Sequence, residues 1–99
     1  MVRAPADRLP PASRAAYEAL RRKFLAGLPA RWQEIEQAPD PATRAAALHR
    51  LAGAAGSYGY DELGQAARAA EHLAVGAAGP ALARALADVD RLLRQASMS

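Results

Sequence analysis

Residues 40–59 read DPATRAAALHRLAGAAGSYG. Asp40 is a residue type that caps helix N-termini, and Pro41 suits the first helical position, where its missing N–H removes no bond. Ala45, Leu48, Leu51, Ala55 and Tyr58 then recur at steps of three and four, the period of one apolar helical stripe. Gly59 is placed to take the left-handed conformation that ends a helix. The stretch predicts a helix from Pro41 to about Tyr58.

The flanking sequence repeats the pattern. Upstream, Tyr17, Leu20, Phe24, Leu28, Trp32 and Ile35 form a second stripe, with Ser13 as its expected N-cap. Gly27 and Pro29 interrupt it, because proline inside a helix removes a hydrogen bond and clashes with the preceding turn. The first helix is therefore expected to be kinked or split near Gly27–Pro29, into segments 13–27 and 29–37. Downstream, Tyr60 or Asp61 opens a helix with Leu63, Ala66, Ala67, Ala70, Leu73 and Ala74 inward. Gly76 and Gly79 frame a turn, and Pro80 starts a last helix striped by Leu82, Leu86, Val89, Leu92 or Leu93, and Ala96. Arg84/Asp88 and Asp90/Arg94 are spaced as ion pairs on its wet side.

Composition agrees with this reading. The 99 residues include 28 alanines and 12 arginines, both good helix formers. The β-branched residues are Val2, Ile35, Thr43, Val75 and Val89, too few to build a sheet. The fold class is all-α. Short connections make successive helices antiparallel neighbours, so an up-down four-helix bundle is expected. Residues 1–12, with Pro5, Pro10 and Pro11, read as a flexible Pro-rich tail or linker, and 13–98 as the bundle.

Several function classes fall away. With no cysteine there is no disulfide scaffold, thiolate metal site or cysteine nucleophile. Arginine interrupts every apolar run, so no membrane span is expected, and the N-terminus lacks the apolar block of a signal peptide. A cytoplasmic monomer is the simplest expectation. Two histidines 23 residues apart make a poor metal site. The serines have no hydrolase partner set, since Asp61 and His49 are expected on the wrong faces. The net charge of +3 is modest and the arginines are scattered, so Arg21-Arg22-Lys23 reads as a solvated face and no nucleic-acid partner is expected.

One residue stands apart. With Leu48, Leu51 and Ala55 inward, the helical period turns His49 outward or to the core margin. It places Ala52, Gly53 and Gly56 at i+3, i+4 and i+7 on the same strip. Each mid-helix glycine destabilises by about 1 kcal/mol relative to alanine, so something must offset the pair. Two readings stand: the glycines let another molecule approach the imidazole, or Gly53 serves close helix packing.

His49-x-Leu51-x-Gly53, Ala55, Tyr58-Gly59 and Leu63 together resemble the signature of histidine-containing phosphotransfer (HPt) domains, the helical carriers of bacterial multistep phosphorelays. The resemblance extends over about residues 13–97. It implies that His49 accepts a phosphoryl group from a receiver-domain aspartyl phosphate and passes it to another receiver aspartate. It implies that Gly53 leaves room for the phosphoryl group and partner. It also implies that the helix residue facing His49 is Glu71, whose carboxylate either accepts the ring N–H or is an ordinary solvated group paired with Arg68. Gln65 and Arg68 are the other choices on that helix. Where the family usually carries lysine, this chain has Ala52, which leaves Arg50, about 100° around the helix, as the nearest cation. The expected site is thus His49, supported by Glu71 and Arg50, with Ala52, Gly53 and Gly56 for partner docking. No metal or cofactor of its own is expected, and Mg²⁺ belongs on the partner receiver. Such a chain is a phosphotransfer intermediate and not an enzyme. The alternative is a degenerate adaptor that binds receivers without transfer.

Overall fold

The computed structural model describes residues 10–76 and 79–98. Among them are five α-helices and no strand: α1 (Pro11–Ala26), α2 (Leu28–Glu36), α3 (Pro41–Ser57), α4 (Asp61–Gly76) and α5 (Pro80–Ser97). No helix among the described residues is long and apolar enough to cross a membrane. Residues 1–9 of the expected tail lie outside the described residues, as do Ala77 and Ala78 of the expected Gly76–Gly79 turn.

Helix ends follow local chemistry. Asp40 is the N-cap of α3 and its carboxylate accepts the Thr43 N–H at 2.7 Å. That bond, helped by a weaker one from Ala42, holds the Asp40 carboxyl below the ordinary aspartate value. At the other end Gly59 has φ 85°, the left-handed conformation expected of it. The Tyr60 N–H reaches back to the Ala55 carbonyl at 2.9 Å, and the Gly59 N–H to Gly56 at 3.3 Å. These two bonds form a Schellman cap and satisfy the last carbonyls of α3. Helix α1 differs from expectation. It begins at Pro11 behind Pro10, with no side-chain cap, two residues ahead of Ser13. Proline at the first helical position has a preset φ and needs no cap for its absent N–H.

Helices α1 and α2 meet at Gly27, which stays right-handed at φ −85°, ψ −6°. Its N–H still bonds Lys23 and Phe24, and its carbonyl accepts from Arg31, all at 3.1 Å. Pro29 falls in the first turn of α2, where its missing donor is harmless. Arg44 ties α3 to the end of α2: its Nε donates to the Ile35 carbonyl at 3.0 Å and its Nη2 to the Glu36 carbonyl at 3.3 Å.

The core is built from Phe24, Leu28 and Ile35 of the first two helices, Leu48, Leu51 and Ala55 of α3, and Leu63, Val89 and Leu93 beyond. Leu28, Ile35, Leu48, Leu51 and Val89 are fully enclosed. Among the described residues helices α3 and α4 make the most extensive pairing. Gly64 contributes to it: a Cβ there would lie 3.3 Å from the Ala52 carbonyl oxygen, tighter than an ordinary contact, so the bare glycine eases the approach of the two backbones. One member of the first stripe departs from expectation. Leu20 is 53% exposed, because Tyr17 and Phe24 already fill the side of α1 that faces Tyr58. On α5, Asp90–Arg94 pairs as spaced, at 2.8 Å, whereas Asp88 meets Arg91 and not Arg84.

Candidate functional site

Helix α3 buries Ala45, Ala47, Leu48, Leu51, Ala52 and Ala55. The period of the helix therefore turns His49, Gly53 and Gly56 to the outside, and all three are exposed. The His49 side chain is 76% exposed. Its Nδ1 lies 3.1 Å from Oε2 and 3.3 Å from Oε1 of Glu71, in the middle of α4. A carboxylate only accepts, so Nδ1 carries the proton and donates it between the two oxygens. The tautomer is thereby set, and the lone pair sits on Nε2. The Glu71 carboxylate thus lies within hydrogen-bond reach of the imidazole. The Glu71 side chain is 29% exposed, less than half as open as the ring it holds. That partial burial gives the carboxylate a fixed direction.

The surroundings are bare on one side and charged on the other. A Cβ added at Gly53 or at Gly56 meets nothing within 4 Å. Among the described residues neither glycine has a packing partner that requires it, which speaks against that reading of the strip. The close-packing glycine is Gly64, on the facing helix. Its neighbours in the sequence, Leu63 and Ala67, are core residues at helical spacing, but nothing in a single sequence distinguishes it from a weak point in a helix. Arg50 leans the other way from the strip and pairs with Glu34 of α2. The sequence offered no signal for that partner. Ser57 closes the strip, its hydroxyl donating to the Gly53 carbonyl at 3.0 Å. The Tyr17 hydroxyl, from α1, donates to the Ser57 carbonyl at 3.0 Å.

Ala52 does not lie where it was expected. It is 2% exposed and faces α4, not the strip. The i+3 step leaves it far enough round the helix for the approach of Gly64 to cover it. It presents no surface for docking. His72 is exposed on α4, and the described residues contain no group of three or more His, Cys, Asp or Glu that could hold a metal.

This arrangement has definite chemical capacity. An imidazole with one nitrogen clamped and the other open is a nucleophile with a fixed direction of attack. After bond formation at Nε2 the ring carries a positive charge, and the Glu71 carboxylate at Nδ1 offsets it. Neither the curated proteins nor the solved structures give a match. The sequence model of the Hpt domain matches residues 19–98, from the middle of α1 to the end of α5. Hpt domains are phosphotransfer intermediates that carry phosphoryl groups on histidine and work with receiver domains in phosphorelays. The match takes in all of α2 through α5 with the imidazole on α3, and this chain belongs to the Hpt domain family.

Proposed function

We propose that His49 is the phospho-accepting residue of a carrier that takes a phosphoryl group from one receiver domain and delivers it to another. The observation that carries this reading is the exposed Nε2 of a ring whose Nδ1 is held by Glu71. In the forward step the Nε2 lone pair attacks the phosphorus of a receiver aspartyl phosphate. The N–P bond forms, the P–O bond to the aspartate breaks, and the carboxylate leaves with the electron pair. The Nδ1 proton stays where it is, shared with Glu71. The reverse step delivers the group to a second aspartate. Such transfer depends on in-line positioning and charge stabilisation more than on covalent help from the protein.

The remaining residues take supporting parts. Glu71 positions the ring. Gly53 and Gly56 let the receiver surface approach the helix backbone. Arg50 supplies cationic charge at the margin, tempered by Glu34. Mg²⁺ belongs to the receiver, whose acidic site holds it. The chain acts as a cytoplasmic monomer, with its helices in an up-down four-helix bundle whose first helix is divided near Gly27. The identity of Ala52 favours one other reading, an adaptor that docks on receivers without exchanging phosphate.

Incubation with a phosphorylated receiver separates the two. The carrier takes up label that is acid-labile and base-stable, and His49→Gln abolishes it. An adaptor takes up none. Label that survives in His49→Gln sinks the assignment of the residue.

A further inference from the structure

Tyr17, Arg21 and Phe24 stand four and three residues apart on α1 and so share one face of it. All three reach the same stretch, residues 57–60, where α3 turns into α4. The Tyr17 hydroxyl donates to the Ser57 carbonyl at 3.0 Å, and its ring meets that of Tyr58 with centroids 5.6 Å apart. Arg21 Nη1 donates to the Tyr60 hydroxyl at 2.7 Å. The Phe24 ring stacks on Tyr58 at 5.2 Å and meets Tyr60 at 6.0 Å. Burial against these neighbours raises the Tyr17 phenol above its ordinary value, so the hydroxyl keeps its proton and can donate at neutral pH.

The stretch held in this way ends a weakened helix. Gly53 and Gly56 lie in the last two turns of α3, and each disfavours the helical state about fivefold relative to alanine. A Cβ at either meets nothing within 4 Å, so packing among the described residues does not offset the loss on that side. Hydrogen bonds at the helix end do. The carbonyls of Ala54, Ala55 and Gly56 accept from the backbone N–H groups of Tyr58, Tyr60 and Gly59. The Ser57 carbonyl takes its bond from another helix, through Tyr17. The Ser57 hydroxyl donates back to the Gly53 carbonyl at 3.0 Å. A line of hydrogen bonds thus runs from α1 to Gly53, which is four residues, one helical turn, from His49.

We propose that Tyr17 is a positioning residue for phosphotransfer: by clasping the Ser57 carbonyl it keeps the glycine-weakened end of α3 helical, and with it the surface beyond His49 that a receiver meets. The inference rests on the carrier reading. It adds a residue that acts through Ser57 on the helix surface and not on the imidazole.

Tyr17→Phe keeps the ring and removes the hydroxyl, so it tests the clasp alone. Amide hydrogen exchange followed by NMR reads opening of the helix end, and Cα chemical shifts of residues 56–58 read its helical fraction. Exchange at Tyr58 and Tyr60 should quicken by about three- to tenfold, the worth of one ordinary hydrogen bond. Gln37 and Arg44, at the far ends of α2 and α3, should keep their rates. Gly56→Ala placed in the Tyr17→Phe chain should return the helix end to wild-type exchange. Charging by phosphoramidate, a donor too small to read a surface, should be unchanged. Discharge is followed to the receiver domain that accepts fastest among those purified from the same organism. The receiver concentration for half-maximal rate should rise by the factor by which the helical fraction falls, about two- to threefold, with the saturating rate held.

Wild-type exchange at Tyr58 and Tyr60 in Tyr17→Phe would overturn the proposal, as would failure of Gly56→Ala to restore protection. A frayed helix end with a wild-type discharge curve would overturn it too. A raised receiver requirement without fraying would mean that the hydroxyl touches the receiver itself, and slower charging by phosphoramidate that it acts on the ring; either overturns the clasp. Failure of wild type to take label from either donor strikes the carrier reading, whereas the exchange result judges the clasp independently of it.

Discussion

Gly53 on α3 and Gly64 on α4 are the same residue in the same kind of helix, yet their surroundings are opposite. A Cβ on Gly64 would press on the Ala52 carbonyl and lie 3.6 Å from the Gly56 nitrogen; a Cβ on Gly53 would meet nothing. The first glycine is explained by what lies inside the molecule. The second has no packing neighbour among the described residues to offset its cost of about 1 kcal/mol. The two sides of α3 differ in the same way. The inward side is closed by Leu48, Leu51, Ala52 and Ala55, while the outward side offers an imidazole on a surface stripped of side chains. Stability is built on one side and approach on the other.

Perturbing each side separately gives the sharpest contrast. Leu51→Ala on the enclosed side should cost about 3–5 kcal/mol, within reach of the whole stability of so small a domain, and is read by denaturant unfolding. Its effect on label uptake per folded molecule should be minor. A wedge driven into the α3–α4 contact comes next: Gly64→Leu should lower stability by about 1–3 kcal/mol through overpacking. If it is neutral, the backbones are not pressed together and the contrast between the two glycines is broken. On the open side the sign reverses. Gly53→Ala should raise stability by about 1 kcal/mol, a few degrees in melting temperature. Gly53→Gln should leave the fold unharmed yet slow exchange with a receiver tenfold or more. A Gly53→Ala protein that melts lower than wild type would falsify the open-strip account.

The smallest effect concerns the N-cap of α3. The hydrogen bonds from Thr43 depress the Asp40 carboxyl in the folded state. Its contribution is therefore present above the ordinary carboxylate value and is lost as pH falls through the depressed one. Asp40→Ala should melt lower than wild type at neutral pH, with the gap closing in acid. A gap that widens in acid contradicts the cap.

How much of this was legible in the sequence follows from where the information resides. The α3 boundaries are local: Asp40, Pro41 and Gly59 act within a turn of their own position, and they lie where the sequence placed them. The outward turn of His49 is a matter of period, and it also held. Ala52 misled because one helical step of three residues is ambiguous between strip and core. Only the arrival of α4 decides it, with the bare Gly64 backbone lying against the Ala52 carbonyl. Leu20 misled for a related reason. Its period matches the core stripe, but the aromatic rings of Tyr17, Phe24 and Tyr58 occupy that space first. The Arg50–Glu34 pair spans 16 positions, beyond any local rule.

The closeness of α3 and α4 at Ala52 and Gly64 has a consequence for the imidazole itself. The Ala52–Gly64 and His49–Glu71 pairs lie on the same antiparallel seam, about one turn apart along α3. The spacing that the bare Gly64 backbone permits is the spacing across which Glu71 must reach. Side-chain volume added at residue 64 would press α4 away from α3 and lengthen the reach of Glu71 to the His49 ring.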